Sequence, residues 1–433
     1  MVFAIYTLAM TSVSSSECSS IFSESRSSLL ERYRIAALRA LVLADIFTTR
    51  DFEVLQALVL YLFSDTDSKL SLSLIAIASR IAQCIGLPPT TDDPSITVFE
   101  TEMRVRLWWQ FRGLEICSVS LLIPHAKPPF TDHTGIRAPL NVNDADLHPA
   151  MAELPVAQPG PTEMLFPLIK FEAIQWIQTS LRGKRLFQSL HPTASIKRLT
   201  TGELNETIDD LQRHIDARFT RFLDDRIPLH FLALNLIRSF FSNMRLKANH
   251  PRKRLEPKSS GGDSVDPHEV DQEELDAWFD SALQVLESRA AISQTVFSSR
   301  LYAHMAGRLD MDALIYVLSD LRQPQRLGAK ADKAWKLVGQ IYSTCQGSTF
   351  GSDSSFCVAM GDLVLEAWNA RVQEPRITQD IEVPPYIQTL QAARATREGG
   401  ERHSLDELVR PEMIDWDDAY WGTLYNVTGV NFL

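Results

Sequence analysis

The stretch ETEMRVRLWWQF, Glu100 to Phe111, reads as a single amphipathic helix. Glu100 with Arg104, and Glu102 with Arg106, stand four residues apart with the acid first. That orientation supports a helix by roughly 0.2–0.5 kcal/mol per pair. Met103, Leu107, Phe111 and Leu114 recur at intervals of three and four, which predicts a buried stripe. Trp108 and Trp109 are about 100° apart around such a helix and face different sides. One is placed to pack in a core and the other to cover the adjoining loop.

The same period runs outward in both directions, and no sustained alternation of period two competes with it, so the fold class is all-α, a multi-helix array. Leu74, Ile77, Ala78, Ile81 and Ile85 are in helical register, with Gly86 placed to end the helix. Ile208, Leu211, Ile215, Phe219 and Phe222 make another stripe, with Asn205 as its expected N-cap. Pro228 to Leu246 is apolar nearly all round, the pattern of a helix buried on several sides, with Pro228 suited to its first turn. Further core stripes are Leu275, Trp278, Phe279, Ala282, Leu283 and Leu286; then Trp335, Val338, Ile341 and Cys345; then Met360, Leu363, Val364 and Ala367. Proline-rich His125 to Pro167 breaks the pattern and is expected to be a long ordered connection. The resulting domain reading is a helical core over 1–250, a polar linker over 251–272, a helical continuation over 273–373 and an acidic-aromatic tail over 374–433.

Composition narrows the function. The formal charge of −11 over 433 residues opposes the basic surface that phosphate binding requires. Direct contact with nucleic acid is therefore not expected. The five cysteines are scattered and never form a C-x-x-C pair, which argues against a disulfide framework and a structural metal site. The chain has no uninterrupted apolar run of the roughly 18 residues that read as a membrane span. MVFAIYTLAM at the start lacks the basic residues of a secretory signal. Glycine-rich phosphate loops, G-x-S-x-G and H-E-x-x-H are absent from the sequence, and the ten histidines stand singly. His133 beside Asp132 and His148 beside Asp146 are the nearest approach to acid/base pairs, and each is better explained as a solvated loop residue.

Two features point to recognition instead. Arg252, Lys253 and Arg254, with Arg245, Lys247 and Lys258 around them, gather positive charge in and before the linker, as nuclear import signals do. Asp406 to Asp418 carries six carboxylates against Arg410 and is interleaved with Trp416, then followed by Tyr420 and Trp421, the composition of many activation segments. A C-terminal helix docking Trp416 and Trp421 onto the core is the equal alternative.

Four pieces in order carry a resemblance. FEVLQALVLYL (Phe52 to Leu62), LSLSLIAIASRIAQCIGLPP (Leu70 to Pro89), the Glu100 to Phe111 helix, and NVNDADLHPAM (Asn141 to Met151) followed by PTEM (Pro161 to Met164) are similar to successive parts of one family. That family is the fungal binuclear zinc cluster transcription factors, and the part resembled is their regulatory, or middle homology, region. The likeness covers Val2 to Glu172 well and extends loosely to Arg371. It implies a nuclear regulator, with the cytoplasm as the alternative location, that contacts the transcription machinery or a related factor. A small-molecule effector and a second copy of the chain are further partners to expect. The family's zinc cluster needs six closely spaced cysteines, which this sequence does not contain, so no cofactor is expected here and zinc only with an upstream cluster. Phe3 to Arg34 resembles the interior of the regulatory region, so a misassigned start codon or a truncated gene is to be expected on equal terms with a genuine short form. MVFAIYTLAM is then expected as a buried helix.

Within that region Arg104, Arg106, Trp108 and Trp109 are the candidate structural or sensing residues, with Asp144 and Asp146 as carboxylate partners. A guanidinium grips a carboxylate in a bidentate fork and fixes a loop that has no backbone ladder, so Arg106 or Arg104 is expected to pair with Asp144 or Asp146. Two other functions compete with the regulator: a headless interaction protein that senses a metabolite or modulates a full-length factor, and an enzyme recruited onto the scaffold around His133, His148 or Arg106.

Overall fold

In the computed structural model the described residues are 1–64, 69–88, 96–122, 136–190, 199–248, 272–295, 311–323, 326–344, 355–373 and 383–400. All regular structure among them is helical, with no strand. The basic cluster at Arg252 to Arg254, the segment 251–271, His133, Cys345 and the aromatic tail with Trp416, Tyr420 and Trp421 lie outside the described residues. The chain divides into two compact units. The first is built on Met1–Leu234 and the second on Asn235–Gln294 and Arg308–Leu424.

The first unit begins with α1 (Val2–Thr11), α2 (Ser15–Phe22), α3 (Arg26–Leu43), α4 (Phe52–Ser64), α5 (Lys69–Cys84) and α6 (Val98–Leu122). Ser14 opens α2 with a capping box: its side chain accepts from Glu17 N while Glu17 answers to the Ser14 amide. Gly86 takes φ +75 just past α5, the left-handed turn expected of a glycine stop. α1 is a helix as expected, but it is only half-buried. Ala4, Thr7 and Met10 face α3 and α4, while Val2, Phe3, Ile5 and Tyr6 stay exposed.

After a loop from residue 136 come α7 (Leu165–Thr179), α8 (Leu181–Leu190) and α9 (Thr201–Arg218). The N-cap of α9 is Thr200 in a capping box with Glu203, not Asn205, because Thr-x-x-Glu satisfies two end groups reciprocally. Leu204, Ile208, Leu211 and Ile215 form its buried stripe. The helix ends at Arg218, and a short 3-10 turn over Thr220–Phe222 carries Phe219 and Phe222 off that stripe. Between α4, α5, α6 and α7 lies a core in which Leu55, Leu58, Ile81, Phe111 and Phe171 are almost wholly buried. Burial of each such side chain is worth about 1.5–3 kcal/mol.

α10 (Pro228–Ala248) starts at the expected proline and buries residues on several sides, among them Leu232, Leu236, Phe240, Phe241 and Met244. The second unit adds α11 (Gln272–Ser293), α12 (Met311–Leu321), α13 (Ala329–Thr344), α14 (Ser355–Gln373) and α15 (Pro385–Gly400). The expected stripes meet there: Trp278, Phe279 and Leu286 of α11, Trp335 and Val338 of α13, and Met360, Leu363 and Val364 of α14 share one core. Trp278 Nε1 donates to Leu246 O at 2.8 Å, so this tryptophan of the core also satisfies its polar atom. α15 stands where the sequence showed only weak periodicity. It docks by its first half: Tyr386 and Ile387 are buried, Leu390 packs partly buried against the same core, and Tyr386 stacks on Tyr342 with ring centroids 5.4 Å apart.

Candidate functional site

Helix α6 and the loop that follows it are held together by a buried carboxylate. Glu102 is 0% exposed, and its Oε1 accepts from Arg106 Nε at 3.3 Å and from the Leu140 amide at 3.0 Å. Its Oε2 accepts from Arg137 Nη1 at 2.6 Å. Burying a charge is costly unless it is paired and hydrogen-bonded, and Glu102 is both. The four-residue spacing in the sequence shows Glu102 only as a helix partner of Arg106 and gives no sign of Arg137.

Arg106 reaches on from Glu102 to the loop, its Nη1 donating to Asp144 Oδ1 at 2.8 Å, the direct pairing expected of this arginine. Arg104 and Asp146 do not join it. Arg104 binds Glu100 and donates from Nη1 to Ile85 O at 2.9 Å, where a cation suits the open carbonyl end of α5. Asp146 serves the loop's own turn, accepting from the Asn143 amide at 2.9 Å and from Gln158 Nε2 at 3.1 Å. His148 Nδ1 accepts from the Ala150 amide at 3.1 Å, which makes it a turn residue.

Both tryptophans are buried, each 7% exposed. Trp109 packs on Phe171 at 5.5 Å between centroids and donates from Nε1 to Arg137 O at 2.9 Å, so it serves core and loop at once. Trp108 lies against Phe111 and under the Arg112 guanidinium. The buried face of α6 is Glu102, Val105, Trp108, Trp109, Phe111, Arg112 and Leu114. The stripe expected through Met103 and Leu107 is therefore rotated: Glu102 and Arg112, polar but paired, occupy core-facing positions that a hydrophobicity count leaves out.

NVND and PTEM, twenty residues apart, form one object. The Asn141 amide nitrogen donates to Gln158 O at 2.7 Å and Gly160 O at 2.8 Å, and its oxygen accepts from the Thr162 hydroxyl at 2.7 Å. Glu163 accepts from the Asp144 amide at 2.7 Å, and the Glu163 amide donates to Asn143 Oδ1 at 3.2 Å. Val142 is fully buried beneath. This lattice rims a cavity of about 390 Å³. Its polar wall includes Arg137, Glu172 and Arg218, and its apolar wall includes Leu165, Leu168, Phe219 and Phe222. Glu172 Oε1 accepts from Arg218 Nη1 at 3.1 Å and lies 2.7 Å from His214 Nε2. Phe219, Phe222, Glu172 and Arg218 went unnoticed as site residues because the 3-10 turn that redirects the phenylalanines leaves no period in the sequence. The Arg-Phe-Thr-Arg-Phe run from Arg218 was the available signal.

Among the described residues no cluster of His, Cys, Asp and Glu is placed to hold a metal ion. No described helix is long and apolar enough to cross a membrane.

No family model matches the chain, and no solved structure matches it. Three relatives are informative. The aurofusarin cluster transcription factor aurR2 of Gibberella zeae is 31% identical over 425 residues, 95% of this chain and 60% of that protein. The pyriculol/pyriculariol biosynthesis cluster transcription factor 1 of Pyricularia oryzae is 28% identical over 90% of this chain and 52% of its own length. The C6 finger domain transcription factor adaR of Aspergillus niger is 33% identical over 174 residues, 38% of this chain and 22% of that protein. The chain thus spans about half to three-fifths of the long-matching relatives. Along about nine-tenths of its length it is a homologue of the fungal pathway-specific transcription factors, as the resemblance of its helices and loop implied.

Proposed function

We propose that the chain is the regulatory body of a transcription regulator that works in the fungal nucleus on genes of a biosynthetic cluster. The observation that carries this is the 31% identity over 95% of the chain with a factor named for the aurofusarin cluster. A second factor named for a biosynthesis cluster agrees over 90%. The formal charge of −11 supports a body that acts through proteins rather than on phosphates. Zinc binding and base reading are assigned to no residue of this chain.

The geometry supports a receiving role. Glu102, Arg106 and Asp144 fasten the loop to α6, and the cavity beside that loop is of a size for a small effector. Deleting the coding region tests the reading. Transcripts of the biosynthetic genes flanking the locus are expected to change several-fold, and unaltered transcripts under producing conditions would refute it. The metabolite-sensing alternative, favoured by the cavity, differs in that the purified chain modulates a full-length factor in trans.

A further inference from the structure

We infer that the cavity between the 137–161 loop, α7 and the end of α9 binds a two- or three-ring aromatic organic acid, its rings against the apolar wall and its carboxylate on the arginines. At about 390 Å³ the space lies toward the lower end of the roughly 300–1,000 Å³ range of small-molecule sites. Hydrophobic lining comes from Phe219, Phe222, Leu165 and Leu168, two of them aromatic. Such walls select rings, because apolar area removed from water gives the binding energy.

The polar side is set by what remains uncommitted. Asn141 spends its whole amide on the loop, and Gln158 donates to Asp146. Arg137 gives Nη1 to Glu102, but its Nη2 is buried without a hydrogen-bond partner. A buried unmet guanidinium donor costs free energy, which an anionic oxygen would recover. Arg218 gives one nitrogen to Glu172 and is 58% exposed, so it retains donors for a ligand. The charge of Glu172 is met by Arg218, which lessens its repulsion of an anion. Gly160 marks open volume in the wall: a Cβ built there meets nothing within 4 Å.

This deepens the effector part of the proposed function and rests on it. The test uses the purified 433-residue chain without DNA or promoter, so its outcome and that of the transcript measurement are separable. Titration calorimetry with 1-hydroxy-2-naphthoate is expected to show saturable one-to-one binding. 1-Naphthol, with the same rings and no carboxylate, is expected to bind at least roughly ten-fold more weakly, the worth of one charge-assisted hydrogen bond. Arg218→Gln should weaken the acid by a similar factor, and Gly160→Phe should abolish binding by filling the space. Both variants are checked for unchanged helical circular dichroism, and Ala157→Trp, at an exposed lining position, replaces Gly160→Phe if that variant loses its fold. Absence of saturable binding, equal binding of 1-naphthol, or undiminished binding in Arg218→Gln or the occluded variant overturns the assignment.

Discussion

Glu102 and Asp144 both pair with Arg106, yet they sit in opposite electrostatic settings. Glu102 is fully buried, whereas the Asp144 side chain is 75% exposed. Removing the buried charge takes from Arg137 its carboxylate partner and leaves Arg106 only the exposed Asp144, while removing the exposed one leaves Arg106 still paired with Glu102. Glu102→Gln is therefore expected to lower the unfolding free energy by about 3 kcal/mol. Asp144→Asn should cost under about 1 kcal/mol. Urea denaturation of the two variants decides this; equal losses would show that burial does not control the lattice. The Arg106 to Asp144 contact was legible in the sequence because both residues advertise their charge. Glu102 as its centre was not, since an acid flanked by Thr101 and Met103 gives no sign of how deeply it is buried. Arg104 could not be told from Arg106 as the partner for a related reason: the carbonyl of Ile85 that it satisfies belongs to a helix end, which side-chain chemistry alone does not display.

Helix existence was readable almost throughout, because stripes at three and four residues survive whatever packs on them. Helix ends and turns were less so. Asn205 looked like a cap, but Thr200 with Glu203 opens α9 a turn earlier. Thr200→Ala should destabilise the first unit by about 1 kcal/mol, read from its thermal or urea midpoint. An effect matched by Asn205→Ala would mean the cap is assigned to the wrong residue. α15 illustrates a different limit: a helix whose apolar docking rests on Tyr386, Ile387 and Leu390 alone among its described residues leaves little period to detect. Burial pushes the Tyr386 phenol from 10.0 up to about 12, against the opposing effect of Arg371. A phenol whose folded value is raised stabilises the fold fully below its unfolded value, and that contribution is lost as pH rises through the folded one. Stability is thus expected to fall between about pH 10 and 12, and Tyr386→Phe should flatten that fall. An unchanged alkaline profile would place the ring in solvent.

For the molecule as a whole, the fold class was legible in the helical period of its apolar residues. The cavity was not legible, because its walls come from the 137–161 loop, α7 and the turn after α9, segments with no shared sequence pattern. What joins the scales is a chain of contacts from α6 through Glu102 and Arg137 to the cavity wall, so that a ligand there would bear on the core helix itself. The proposed function requires that this helical body regulate transcription when brought to a promoter. Its most direct test fuses residues 1–433 to a heterologous DNA-binding head in a fungal reporter strain. Reporter output at least several-fold different from that of the head alone is expected. Output indistinguishable from the head alone, with the fusion expressed and nuclear, would contradict it.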